Sequence, residues 1–301
     1  MTRPVASPVT SSWERRSPRS GVASQSFSPP TQLVPARSKY ITSDRLYQTL
    51  NRMSDTDWLV LGFLSGCRLA SGRQLIRRYW FTSDPGDPRA RAGRRALKRL
   101  TDWRVLDALP RRIGGERAGS AGIVYTVGVA GAKLLARRGQ PANRLEAPGA
   151  LYVAHTIACT ELVVTLGEAG RSGALECIEV QNEPECWRTF RAGMGARITL
   201  KPDLFIRVAV PGHSYEDRWY VEVDLATEAA GTILAKAKRY LAHHRSGSEQ
   251  VHPRVLWAVP DARRAERIQS ALGRLPAGAQ RMFSVCGLSE TVEYLTAEAH
   301  R

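Results

Sequence analysis

The feature that most constrains this chain is a pair of apolar runs studded with acids. KPDLFIRVAV begins at Lys201, RWYVEVDLATE begins at Arg218, and PGHSYED joins them. Runs of this length and β-branched content read as strands, and the Pro-Gly turn makes them antiparallel neighbours. Side chains alternate along a strand, so Glu222 and Asp224 leave the same face. Asp203 begins the neighbouring strand, just after Pro202. Three carboxylates gathered at one end of a sheet repel one another unless something cationic holds them.

The next helix, about Ala229 to His244, supplies a cation. Ile233, Ala237 and Leu241 form its buried stripe, and Lys236 lies beside that stripe, four residues from Tyr240. Its stem can pack while its ammonium reaches the acids, whereas Lys238 points further out. One reading is a site for Mg²⁺ or Mn²⁺ built from oxygen ligands, where a metal activates water and stabilises charge on a phosphodiester. The other is structural: Asp203 caps a turn, and Glu222 and Asp224 pair with Arg207, Arg239 or Lys236.

The surrounding pattern predicts an α/β domain over residues 150–298. A helix runs from Leu151 to about Ala169, followed by strands from Ala174 to Val180, Leu200 to Val208 and Trp219 to Leu225. After the Lys236 helix come a strand from Arg254 to Asp261, a helix, a last strand and a short terminal helix. Within the first helix His155 and Cys159 stand four apart, a metal-ligand spacing, but no partner pair is visible and a core helix explains them better. The five cysteines are scattered, with no CxxC pair, which fits a reducing cytosol rather than a disulfide framework.

The first half differs in character. Residues 1–45 are rich in Ser, Pro and Arg, and are expected to form a disordered basic tail. From 46 to 140 the pattern is three helices and a hairpin. Ser54 or Asp55 caps a helix with Trp58, Leu59, Leu61 and Leu64 inward; Ser71 caps a second, with Leu75, Ile76, Tyr79 and Trp80 inward. RARAGRRALKRLTDW is the third, and the apolar stretches Val105–Leu109 and Ile123–Val127 are the strands. That is the layout of a winged helix-turn-helix, with the third helix placed to read a DNA groove. Between Arg68 and Arg117 there are fourteen Lys or Arg against five acids. Arg89, Arg91, Arg94, Arg95, Lys98, Arg99, Arg111 and Arg112 are the candidate DNA contacts. QPANRLEAPGA, with Pro141 and Pro148, reads as a linker.

The formal net charge of +16 agrees with a polyanionic partner. A membrane surface is the weaker alternative, because no basic amphipathic helix carries a large aromatic face. The N-terminus lacks the apolar core of a signal peptide, WLVLGFLSGC is too short to span a bilayer, and the long apolar helix carries His155 and Glu161. A cytoplasmic protein without a membrane partner is expected.

Taken together, KPDLF, RWYVEVDLATE and AKAKRY resemble the PD-(D/E)XK, or restriction-endonuclease-like, superfamily. The whole layout over about residues 50–290, a basic winged helix followed by EVD and a K…Y helix, resembles the actinobacterial replication-relaxation family. The resemblance implies an α+β fold: an N-terminal winged helix-turn-helix followed by an α/β restriction-endonuclease-like domain. It implies metal ligands at Asp203, Glu222 and Asp224, with Glu161 of the first helix as a further acid, a catalytic Lys236, and Mg²⁺ or Mn²⁺ if active. It also implies DNA as partner, as a homodimer or with replication or transfer machinery of plasmids and integrative elements. The superfamily places a Lys two residues after the second-strand acid; here Asp224 stands there, so the Lys moves to Lys236 or the domain is a regulator that kept a nuclease fold.

Overall fold

Helix caps set the first elements of the computed structural model, which describes residues 40–112, 122–142, 144–145, 148–191 and 195–298. In α2 (Asp55–Cys67) Ser54 and Asp57 cap each other reciprocally, at 3.2 and 3.0 Å. In α3 (Gly72–Tyr79) Ser71 and Gln74 do the same, at 3.2 and 2.8 Å. Asp87 caps α4 (Pro88–Asp102), with Pro at its first turn where no N–H is needed. An earlier helix, α1 (Ser43–Leu50), begins inside the stretch expected as tail. Its anchors are Ile41 and Leu46, both buried, which the polar composition around them hides.

Strands β1 (Ala70–Ser71), β2 (Leu106–Arg112) and β3 (Ile123–Val127) form an antiparallel sheet in the order β1-β3-β2. With α5 (Val129–Arg137) they close a core of Val60, Leu61, Leu64, Leu75, Leu97, Leu100, Val127 and Leu134. Leu59, expected inward, is 58% exposed, and Val60 takes its place. α5 sits directly on backbone: a Cβ on Gly131 would lie 2.3 Å from the Val105 carbonyl oxygen.

The second half is three layers. Its sheet runs β10 (Phe283–Gly287), β9 (Arg254–Val259), β8 (Glu216–Val223), β7 (Leu204–Ala209), β4 (Glu176–Asn182). β10, β9 and β8 run parallel, β7 runs antiparallel to β8 and β4 antiparallel to β7, so the sheet is mixed. One face packs on α6 (Ala150–Ser172) and α9 (Thr291–Glu298) through Trp219, Val221, Leu204 and Ile206. The other packs on α7 (Ala230–Arg245) and α8 (Ala262–Leu272) through Tyr220, Phe205, Val255 and Trp257. Odd and even positions of β8 thus serve opposite cores, as its alternation requires. A hairpin of β5 (Arg188–Arg191) and β6 (Arg197–Leu200) adds Phe190 and Leu200 to the second core. The fold is therefore mixed α and β.

α6 joins the halves, and the described residues form one compact unit. Leu69, Val124 and Val153 pack together, Thr160 Oγ1 donates to the Leu69 carbonyl at 2.7 Å, and Gln74 Nε2 donates to the Ile157 carbonyl at 2.9 Å. By length and composition alone α6 could cross a membrane. In this fold its apolar stripe covers the sheet, and its polar side chains meet neighbouring elements.

Candidate functional site

Two clusters need explanation, and the acidic one comes first. Glu222, the penultimate residue of β8, shares the α7 face with Tyr220 and is 2% exposed. The four-residue step from Lys236 to Tyr240 brings both to it. Lys236 Nζ donates to Glu222 Oε2 at 2.8 Å, and the Tyr240 hydroxyl donates to Glu222 Oε1. Lys236 also holds Glu228, at 2.8 Å. Burial and the nearby Asp203 charge push the Glu222 carboxyl up to about 7, against the Lys236 and Tyr240 donors. Burial opposes charge on Lys236, yet Glu222 and Glu228 outweigh it and hold the ammonium above its ordinary value. Within the Glu222–Lys236 pair, the proton that can leave near neutrality is therefore the one on Glu222.

Asp203 stands at the entry to β7, where its own N–H bonds the Val221 carbonyl at 3.1 Å. Its Oδ2 accepts from the Val223 N–H at 2.7 Å and lies 3.2 Å from His155 Nε2. That hydrogen bond raises the His155 pKa against the effect of burial. Cys159 Sγ lies 3.8 Å from His155 Nδ1. A cavity of about 50 Å³ opens among His155, Cys159, Asp203, Glu183 and Arg68. Burial and the Asp203 charge raise Glu183.

The other two expected acids go elsewhere. Asp224 is held by Arg264 of α8, at 3.1 and 2.5 Å, with both side chains almost fully buried. Its Oδ1 also accepts from the Ala226 N–H at 2.6 Å, where Ala226 has φ 64°. Glu161 faces α3, accepting from Gln74 Nε2 at 2.9 Å and from Arg77, which also binds Glu168. So Asp203, Glu222, Lys236 and Tyr240 come together, while Asp224 and Glu161 serve separate ion pairs. Both oxygens of Glu222 and of Asp224 already accept protein donors. These side chains, as held, do not fit a three-carboxylate Mg²⁺ or Mn²⁺ cage.

Sequence reasoning missed Arg264 and Arg77, and it set His155 aside. Only the His155–Cys159 spacing was visible locally; its carboxylate comes from a strand 48 residues away.

The basic cluster lies between α4 and the β2–β3 hairpin. Arg91, Arg94, Arg95 and Lys98 line a groove of about 520 Å³, floored by Ala108, Ile123 and Tyr125. Arg94 donates to the Pro85 carbonyl at 3.1 Å, and Lys98 pairs with Asp102 at 2.7 Å on the surface. Among the described residues Arg91 and Arg95 make no ion pair, and both are exposed. Two more of the expected contacts are spoken for. Arg89 grips Asp87, at 2.8 Å, and Arg99 grips the buried Asp57, at 2.7 Å. Arg111 and Arg112 end β2, and their side chains lie outside the described residues, as does Arg117.

The replication-relaxation family model matches residues 61–256, well over half of the 301-residue chain. The chain belongs to the replication-relaxation family. Membership ties it to a replication-related role. The family match takes in the basic helix, α6, the acidic strands and the Lys236 helix, and it stops before α8 and Arg264. No curated protein matches this replication-relaxation chain.

Proposed function

We propose that this chain is a DNA-binding control protein of replication or transfer, of the kind carried by plasmids and integrative elements. The N-terminal half acts as a winged helix, with α4 as recognition helix and the β2–β3 hairpin as wing. The observation that carries this reading is the groove of about 520 Å³ lined by Arg91, Arg94, Arg95 and Lys98. Four cations converge there on an otherwise apolar floor, with a single acid, Asp102, on the rim. Such a groove attracts phosphate and offers guanidinium groups to base edges.

Fluorescence anisotropy with a labelled duplex tests it. Affinity is expected to fall steeply with salt, since each neutralised phosphate releases counterions. Changing Arg91, Arg94, Arg95 and Lys98 to Ala should weaken binding by at least about tenfold and flatten the salt slope. Unchanged affinity and slope would remove α4 from the interface.

Hydrolysis by the second half is the second reading, with Asp203, Glu222 and Lys236 in the roles that the restriction-endonuclease-like resemblance implies. Its support is the convergence of those three side chains. Against it stand the protein donors already on Glu222 and Asp224. We expect DNA to be bound and left uncut with Mg²⁺ or Mn²⁺, on supercoiled, linear and branched substrates. Cutting that Asp203→Ala with Glu222→Ala abolishes would establish the nuclease instead.

A further inference from the structure

We infer that His155, Cys159 and Asp203 form a binding site for a transition-metal dication of the zinc class. The inference stands apart from the DNA-binding reading and shares only Asp203 with the nuclease one.

His155 and Cys159 lie one turn apart on the same side of α6, with Cys159 Sγ 3.8 Å from His155 Nδ1. Asp203 arrives from the start of β7, with Oδ2 3.2 Å from His155 Nε2. One ligand atom from each of the three lies within 4.8 Å of the others. A tetrahedral ion with bonds of about 2.0–2.3 Å needs neighbouring ligands roughly 3.5 Å apart. The His155–Cys159 separation is already close to that. Turning the imidazole about its Cβ–Cγ bond and moving the carboxylate by about an ångström closes the third side, within ordinary side-chain freedom.

The surroundings suit an ion. The backbone of Asp203 is pinned by its own N–H, and its Oδ2 accepts from the Val223 N–H, while no donor among the described residues holds Oδ1. The three residues are half-buried and line a cavity of about 50 Å³. Glu183 faces that same cavity, placed to hold a water or complete the ligand set. A nitrogen, a sulfur and an oxygen select zinc or cobalt over Mg²⁺, which prefers six oxygens. Three protein ligands with one open position is the arrangement of zinc sites that keep a coordination place for water.

Cobalt spectroscopy on the untagged full chain reads the site directly, without DNA or any activity. Titration with Co²⁺ should give one equivalent of a thiolate-to-cobalt absorption band with tetrahedral visible bands. Zn²⁺ should displace it, and Mg²⁺ in large excess should not. Cys159→Ser should abolish the thiolate band, while Cys177→Ser leaves it intact. His155→Ala and Asp203→Asn should each weaken Co²⁺ binding at least about tenfold, with circular dichroism showing the fold retained. Absence of the band in the wild type, or its survival in a folded Cys159→Ser protein, overturns the proposal. Failure of the anisotropy test above would leave this result untouched, so the two readings fall separately.

Discussion

On Glu222, burial and the Asp203 charge oppose the Lys236 and Tyr240 donors. An unfolded glutamate releases its proton near pH 4.3, whereas in the fold Glu222 keeps it to about 7. Between those values the folded chain binds more protons than the unfolded one, so stability falls as pH rises. The contribution is complete below about pH 4 and gone above about pH 7, amounting to about 4 kcal/mol at most. Melting temperatures should therefore drop between about pH 4 and 7. Glu222→Gln, which keeps the shape and cannot ionise, should flatten that slope. His155, raised by Asp203, acts in the same direction, so the difference between the two proteins isolates Glu222. Parallel slopes would refute the assignment. The Asp224–Arg264 pair makes a second residue-scale case. Arg264→Met strands a buried carboxylate and should cost about 3–5 kcal/mol in urea unfolding. Adding Asp224→Leu should restore a good part of it, because two apolar side chains leave no charge to strand.

At the scale of elements, two glycines make a matched pair. Gly62 lies inside α2 with nothing within 4 Å of an added Cβ, whereas Gly131 abuts the Val105 carbonyl at 2.3 Å. Gly62→Ala should stabilise by about 0.5–1 kcal/mol through helix propensity. Gly131→Ala should destabilise by about 1–3 kcal/mol, because backbone cannot step aside as a side chain can. Chemical denaturation of both variants decides whether α5 is seated as tightly as described. Local signals also set what could be read in advance. Ser54, Ser71 and the alternation of β8 are short-range, and the elements they mark are present. The Lys236–Tyr240 step is equally local, and both side chains reach Glu222. α1 was hidden because composition averaged over a polar stretch masks two anchors. The β5–β6 hairpin was hidden because four-residue strands with Arg at both ends of the first carry no clear period. Arg264 and Arg77 were illegible for another reason. Their partners lie 40 and 84 or more residues away, and no periodicity encodes which carboxylate a cation will meet.

For the whole molecule, α6 decides how the chain unfolds. One stretch of it covers the sheet, while Thr160, Glu161 and Glu168 bind α3 and the turn before β1. Urea unfolding followed by near- and far-ultraviolet circular dichroism should thus give coincident transitions. Separated midpoints for the two probes would show a populated intermediate and refute a single cooperative unit. The same helix bears on any attempt to reuse the parts. The basic half looks like a cassette that ends at the Pro-rich connector, ready for grafting onto another protein. Lifted away, it would carry Arg77 and Gln74 with their matching acid left behind, and Leu69 and Val124 with Val153 gone. A transplant that keeps its fold would have to take α6 along, and with α6 travel His155 and Cys159.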